Sequence, residues 1–183
     1  QKNILILGFG RIGQAVAKRC LGFDAKVIVY DPFVDKEFIA KKNCAKVEYD
    51  EGIKEADFIT VHMPLTDQTK NLINKKQFKK MKNNTIIVNT ARGGIINEED
   101  LFWAAKNNKI YGAGTDVYET EPPKTDNPLF TLDNIILSPH NAALTLECRK
   151  RMAVEMAENI LFYLESDEKL NKQNIINRKI LNL

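Results

Sequence analysis

Three glycines near the N-terminus, Gly8, Gly10 and Gly13 in "ILGFGRIGQAVAKR", have the spacing that brings a backbone against a pyrophosphate. The first permits a tight turn out of a strand, the second lets the backbone approach the phosphates, and the third lets the next helix pack closely on the strand. The N–H groups at that helix's start lack intrahelical partners, so they are free to donate to phosphate oxygens. Asp31 closes the following apolar run. Its carboxylate can accept from an adenosine ribose, and its charge repels the additional phosphate of NADP, which favours NAD. One such repulsion costs about 1 kcal/mol in water and about 4 at an effective dielectric of 20. Asp31 also precedes Pro32 and opens a turn, a role compatible with the first. A methyltransferase likewise places glycines after a first strand and an acid after a second, so these residues alone do not name the cofactor.

Proton chemistry falls to few side chains. The chain has two histidines, His62 and His140, each at the end of an apolar run. Open parallel sheets bind ligands at the carboxyl edge of their strands, so either ring is placed for it, and spacing does not choose between them. The three cysteines, Cys20, Cys44 and Cys148, form no C-x-x-C pair, and no metal site is expected.

The elements that must position these residues follow from hydrophobic period. Strands are expected at 3–8, 26–31, 46–49, 58–63, 85–90, 110–116 and 134–140. Most are continuous apolar runs, as when helices cover both faces of a parallel sheet. Helices are expected at 11–21, 35–42, 50–56, 75–81 and 97–107, and from a Thr145 cap to about residue 165. Asn97 is a natural N-cap, with Glu98, Glu99 and Asp100 in the first turn behind it. The last helix carries Ala153, Ala157, Ile160 and Leu164 on one stripe and needs a surface to cover it. The alternation predicts an α/β fold with a doubly wound, mostly parallel sheet and helices on both faces.

Composition excludes several classes. With 183 residues, 44% of them hydrophobic and 28% charged, the chain is an ordinary globular protein able to bury one core. Its net charge of +3 is scattered and offers no footprint for nucleic acid or a membrane surface. The apolar runs are strand-sized, with no membrane span or secretory signal among them. An odd number of cysteines suits reduced thiols, and the expected location is the cytoplasm.

Four further stretches carry a resemblance: "VHMPLTDQTKNLIN" (61–74), "MKNNTIIVNTARGGIINEEDL" (81–101), "GAGTDVYETEPP" (112–123) and "LSPHNAALT" (137–145). With the glycine loop they closely resemble the coenzyme-binding, Rossmann-type domain of the D-isomer-specific 2-hydroxyacid dehydrogenases, over residues 3 to about 165. The nearest branch is that of the 3-phosphoglycerate dehydrogenases and hydroxypyruvate reductases. The resemblance implies reversible hydride transfer between NAD and a 2-hydroxy or 2-keto acid. Arg92 then binds the substrate carboxylate and keto oxygen through its planar fork, which lysine cannot reproduce. His140 is the proton donor in reduction and the base in oxidation, and Glu121 is its orienting partner. Family spacing favours Glu121 over Glu119 in the same loop. A carboxylate on the far ring nitrogen fixes the tautomer and favours the charged imidazole.

The same resemblance assigns cofactor contacts. Gly8, Gly10, Arg11, Ile12 and Gly13 meet the pyrophosphate, Asp31 the ribose, and Met63 and Pro64 the adenine side, where His62 is a lining residue; Thr69 is a further coenzyme contact. Thr90, Ala91 and Arg92 lie along the nicotinamide ribose, Asp116 accepts from the carboxamide, and His140, Ala142 and Ala143 border the ring. The two alanines replace the usual glycines.

Family members carry a substrate domain split between an N-terminal segment and a C-terminal tail, and Gln1 stands almost at the first strand. The expectation is therefore a coenzyme domain at 1–165 with a tail at 166–183 that packs on a substrate domain outside this chain. Such a chain by itself is weakly active or inactive. The resemblance implies a homodimer or larger assembly for the full-length protein. The competing function is an NAD-responsive, non-catalytic binding protein of the corepressor kind, which would keep the same loop.

Overall fold

Strands form where the sequence runs apolar without interruption, because a central parallel strand has helices against its faces and little solvent side. The computed structural model describes residues 1–165 and Ile175. Its strands are β1 (Asn3–Leu7), β2 (Lys26–Tyr30), β3 (Ala45–Lys46), β4 (Phe58–Val61), β5 (Ile86–Asn89), β6 (Gly112–Thr115) and β7 (Ile135–Leu137). They form one sheet in the order β3-β2-β1-β4-β5-β6-β7. Every pairing is parallel, so the sheet is wholly rather than mostly parallel.

The helices are α1 (Arg11–Leu21), α2 (Lys36–Ala40), α3 (Tyr49–Glu55), α4 (Lys75–Phe78), α5 (Glu98–Lys106) and α6 (Leu146–Leu164). Alternation along β1 sorts α3 and α5 from α1 and α2. Leu5 and Leu7 point to a core shared with Ile53 of α3 and Leu101 of α5. Ile6 points the other way, to Ala17 of α1 and Ile39 of α2. Burying each such aliphatic side chain contributes about 1.5–3 kcal/mol. Cover is incomplete at one edge, where Ile136 of β7 is 79% exposed.

The strands end one to three residues before the apolar runs do. The surplus residues, among them His62, Thr90, Asp116 and His140, belong to loops that leave the ladder at its carboxyl edge. A 3-10 turn at Pro128–Thr131 was not anticipated from the apolar pattern. It carries its own signal, since Asn127 caps it and Pro128 opens it.

Two compact units are present, Gln1–His140 and Asn141–Leu183. The first holds the sheet. In the second, Thr145 caps α6 by accepting from the Cys148 N–H at 3.1 Å. No residue of α6 is buried, so the stripe ending in Ile160 and Leu164 remains open to solvent. The tail expected to act as a strap lies outside the described residues apart from Ile175. Among the described residues no helix is long and apolar enough to cross a membrane.

Candidate functional site

The strand order reverses between β1 and β4, and an open parallel sheet offers its ligand crevice outside the strand ends at such a point. Gly8 sits at its floor with φ +93°, a backbone conformation that a side chain disfavours. A Cβ on Gly8 would also lie 2.6 Å from the His62 carbonyl oxygen, so the two loops meet at this glycine. A Cβ on Gly13 would lie 2.1 Å from the Gly8 carbonyl oxygen, so α1 begins pressed against the turn. Gly10 differs. Nothing lies within 4 Å of where its Cβ would be, and no side chain caps α1. Packing does not explain the bareness of Gly10; it leaves room for an incoming group beside the first-turn N–H groups of Arg11 and Ile12. That is the fit a pyrophosphate requires.

A cavity of 560 Å³ opens beside this turn, lined by Gly8, Gly10, Asp31, Met63, Pro64 and Thr69, with His62 also on its wall. Asp31 is held from both sides. Its Oδ2 accepts from the Phe9 N–H at 2.7 Å and its Oδ1 from the Phe33 N–H at 2.8 Å. A carboxylate offers about four lone-pair sites, so the turn-opening role leaves acceptor capacity for a ribose. The Thr69 hydroxyl donates to the Pro64 carbonyl at 2.7 Å and closes its own loop. Thr60 Oγ1 lies 2.9 Å from His62 Nε2, and burial lowers the His62 pKa, favouring the neutral ring.

Beyond the cavity, the exits of β5, β6 and β7 bring the other expected residues to the same sheet edge. Buried Asn89 shapes the first of these loops: its Oδ1 accepts from the Ala91 N–H at 3.0 Å and its Nδ2 donates to the Arg92 carbonyl at 2.9 Å. Thr90 and Arg92 are exposed. Asp116, 3% exposed, accepts from the Ser138 hydroxyl at 2.6 Å.

His140 Nδ1 lies 2.7 Å from Glu121 Oε2. The hydrogen bond to His140 and a second from the Tyr118 N–H hold the Glu121 carboxyl below the usual carboxylate range, with the Arg92 charge adding to the effect. Glu119, two residues away, does something else. Its Oε1 accepts from the Glu98 N–H at 2.9 Å at the start of α5, while the Glu98 carboxylate accepts from the Glu119 N–H. His140 has φ +52°, a left-handed conformation uncommon for a residue with a side chain and found disproportionately at functional sites.

Ala142 and Ala143 belong to the second unit, Asn141–Leu183. Among the described residues, no three His, Cys, Asp or Glu side chains gather to hold a metal. Residue-type reasoning passed over Asn89 and Gly93. Asn89 ends an apolar run where no polar residue is needed for the sheet, which is a readable signal. Gly93 carries none, because its partner is a loop distant in sequence.

The sequence profile described as "D-isomer specific 2-hydroxyacid dehydrogenase, NAD binding domain" matches residues 1–142. The chain is 46% identical over 160 residues to D-3-phosphoglycerate dehydrogenase from Archaeoglobus fulgidus, covering 87% of this chain and 30% of the relative. It is 44% identical over 161 residues to hydroxypyruvate reductase from Thermotoga maritima, covering 87% and 52% respectively. Among solved structures, D-lactate dehydrogenase with NAD+ from Lactobacillus jensenii superposes with a TM-score of 0.83 at 31% identity, covering 91% of this chain and 54% of that one. The chain thus spans about a third to a half of the length of these relatives. A wholly parallel Rossmann-type sheet, a glycine turn at its switch point and a profile match over most of the chain lead to one conclusion: the chain belongs to the D-isomer specific 2-hydroxyacid dehydrogenase family, as its NAD binding domain.

Proposed function

We propose that the protein carrying this domain is an NAD-dependent oxidoreductase acting on a small 2-hydroxy or 2-keto acid. The substrates we favour are 3-phosphoglycerate and phosphohydroxypyruvate, or hydroxypyruvate and glyoxylate, in keeping with the names of the similar enzymes. The observation that carries the reading is the 2.7 Å pair of His140 and Glu121 on the sheet edge where the Arg92 loop also emerges. NAD(H), when bound, supplies the hydride donor or acceptor.

The chain's own residues supply the rest. Arg92 grips the substrate carboxylate with its planar fork and holds the keto group in one orientation. Glu121 accepts from Nδ1 of His140, which fixes the ring and leaves Nε2 to give a proton to the developing alkoxide, or to take one in the oxidative direction. Gly8, Gly10, Gly13 and the start of α1 hold the pyrophosphate, and Asp31 the ribose. Closure by a substrate domain excludes water and completes the grip on the acid's distal end. The same reading puts its work among cytoplasmic metabolites and in a full-length homodimer or larger assembly.

The test is a screen of the full-length protein with NADH over phosphohydroxypyruvate, hydroxypyruvate, glyoxylate and pyruvate. It is repeated with Arg92→Lys and His140→Gln. Both substitutions are expected to lower turnover by about a hundredfold or more while NADH affinity stays within a few fold. Binding of NADH without turnover of any acid would favour the non-catalytic, corepressor-like protein instead.

A further inference from the structure

Tyr118 belongs to no assigned role, yet it touches all three loops of the candidate site. It is buried, 6% exposed, among strand exits whose Arg92, Glu121 and His140 are exposed. Its N–H donates to Glu121 Oε1 at 3.1 Å. Its hydroxyl donates to the Ser138 carbonyl at 3.1 Å, two residues before His140. Its own carbonyl oxygen faces Gly93, where a Cβ would come within 1.7 Å of it, in the loop that carries Arg92. The ring packs edge-on against Phe130 with centroids 6.4 Å apart, which leaves the hydroxyl little freedom to leave Ser138.

We infer that Tyr118 is the positioning residue of the site: it sets the mutual placement of Arg92, Glu121 and His140 by gripping the three loops at once. The argument is geometric. Arg92, Glu121 and His140 are all exposed, and long exposed side chains do not hold a common geometry by themselves. Each is attached within two or three residues of a contact to Tyr118. The left-handed backbone of His140 makes the Ser138 tether more important, because a strained residue keeps its conformation only where its surroundings over-determine it. The reciprocal capping of Glu98 and Glu119 fastens the next residue of the loop to α5, so Tyr118 is itself anchored to a rigid element.

A phenylalanine at this position fills the same volume and removes the hydroxyl alone. This inference rests on the proposed function for its kinetic readout, but not for its spectroscopic one. In Tyr118→Phe, the fold by circular dichroism is expected to hold and the NADH affinity to stay within about threefold, since the cavity beside the glycine turn, lined by Gly8, Gly10 and Asp31, does not include Tyr118. Turnover by the full-length protein is expected to fall on the order of tenfold, what one hydrogen bond to a neutral acceptor is worth. Because Tyr118 acts through the Glu121–His140 pair, Tyr118→Phe should add no further loss in a Glu121→Gln background.

The second readout needs no substrate. The 15N shifts of the neutral His140 ring report its tautomer, with His62→Gln used to assign the two rings. In the parent, the Nδ1–H form is expected to dominate; in Tyr118→Phe the mixture should move toward that of Glu121→Gln. An unchanged tautomer with unchanged turnover overturns the inference. So does a loss that multiplies with Glu121→Gln, or a Tyr118→Phe chain that fails to fold, either of which marks a general structural residue. If the parent turns over none of the acids, the proposed function fails, and the tautomer decides the role of Tyr118 alone.

Discussion

Gly93 and Tyr118 approach so closely that no side chain fits between them: a Cβ on Gly93 would lie 1.7 Å from the Tyr118 carbonyl oxygen and 2.8 Å from the Glu119 nitrogen. Both neighbours are backbone, so relief requires a loop to move. Gly93→Ala is expected to destabilise the fold by about 1–3 kcal/mol, the range for overpacking a tight site, read from urea midpoints. Gly10 makes the opposite forecast, because nothing lies within 4 Å of its Cβ position. Gly10→Ala should leave the stability read from that midpoint within about 0.5 kcal/mol of the parent. On the proposed reading it should nonetheless weaken NADH binding at least about tenfold, because the methyl group would fill the open space assigned to the pyrophosphate. Equal effects of the two substitutions on stability would contradict this contrast.

The carboxylate that orients His140 can be tested without disturbing the loop. Glu121→Gln keeps an oxygen for the Tyr118 N–H but removes the charge that His140 Nδ1 meets at 2.7 Å. Turnover by the full-length protein is expected to fall about hundredfold with little change in NADH affinity. Glu119→Gln is the control, since Glu119 serves the start of α5 and makes no bond to the ring. A larger loss from Glu119→Gln than from Glu121→Gln would reverse the two assignments.

The legible part of this molecule is the part whose cause is local. Gly8, Gly10 and Gly13 announce themselves because a turn, an approach and a helix start lie within six residues, and each apolar run becomes a strand because a parallel sheet has few solvent-facing positions. The separation of Glu119 from Glu121 is different. Both are exposed acids in one proline-bounded loop, and which one meets His140 depends on how that loop leaves β6. Family spacing pointed to Glu121, whereas residue type alone could not. Gly93 and Tyr118 were illegible for the same reason: their importance lies in each other, and nothing near either in sequence reports it. The exposed Ile136 shows the converse limit, an apolar run that ends with one residue facing solvent.

His62 supplies a pH dependence. Burial lowers the pKa of its ring from the model-peptide 6.5, so between the folded and unfolded values the unfolded chain binds more protons. Its contribution to stability is therefore complete above about 6.5 and is lost as pH falls from there through the folded value. Urea midpoints should decline between about pH 7 and 5 in the parent and decline less in His62→Gln. Parallel slopes for the two proteins would remove His62 as the cause.

Asp31 is the place to test coenzyme choice, because a substitution can remove its charge while keeping one accepting oxygen for the turn. Each of its oxygens already accepts one backbone N–H, from Phe9 and from Phe33, so the carboxylate cannot swing away from a bulkier ribose. A 2′-phosphate would have to sit beside a fixed negative charge, a repulsion of about 1 to 4 kcal/mol according to how far water screens it. Asp31→Asn keeps one oxygen for the turn, removes the charge and places an amide donor where the second oxygen was. NADH should then bind about tenfold more weakly, for want of a charged acceptor. NADPH should lose less or gain, so the preference for NADH narrows by on the order of tenfold or more. Titrating both coenzymes by fluorescence against the parent and the variant gives the ratio directly. A preference that survives Asp31→Asn undiminished would mean that some other group excludes the phosphate, and that Asp31 serves the turn alone.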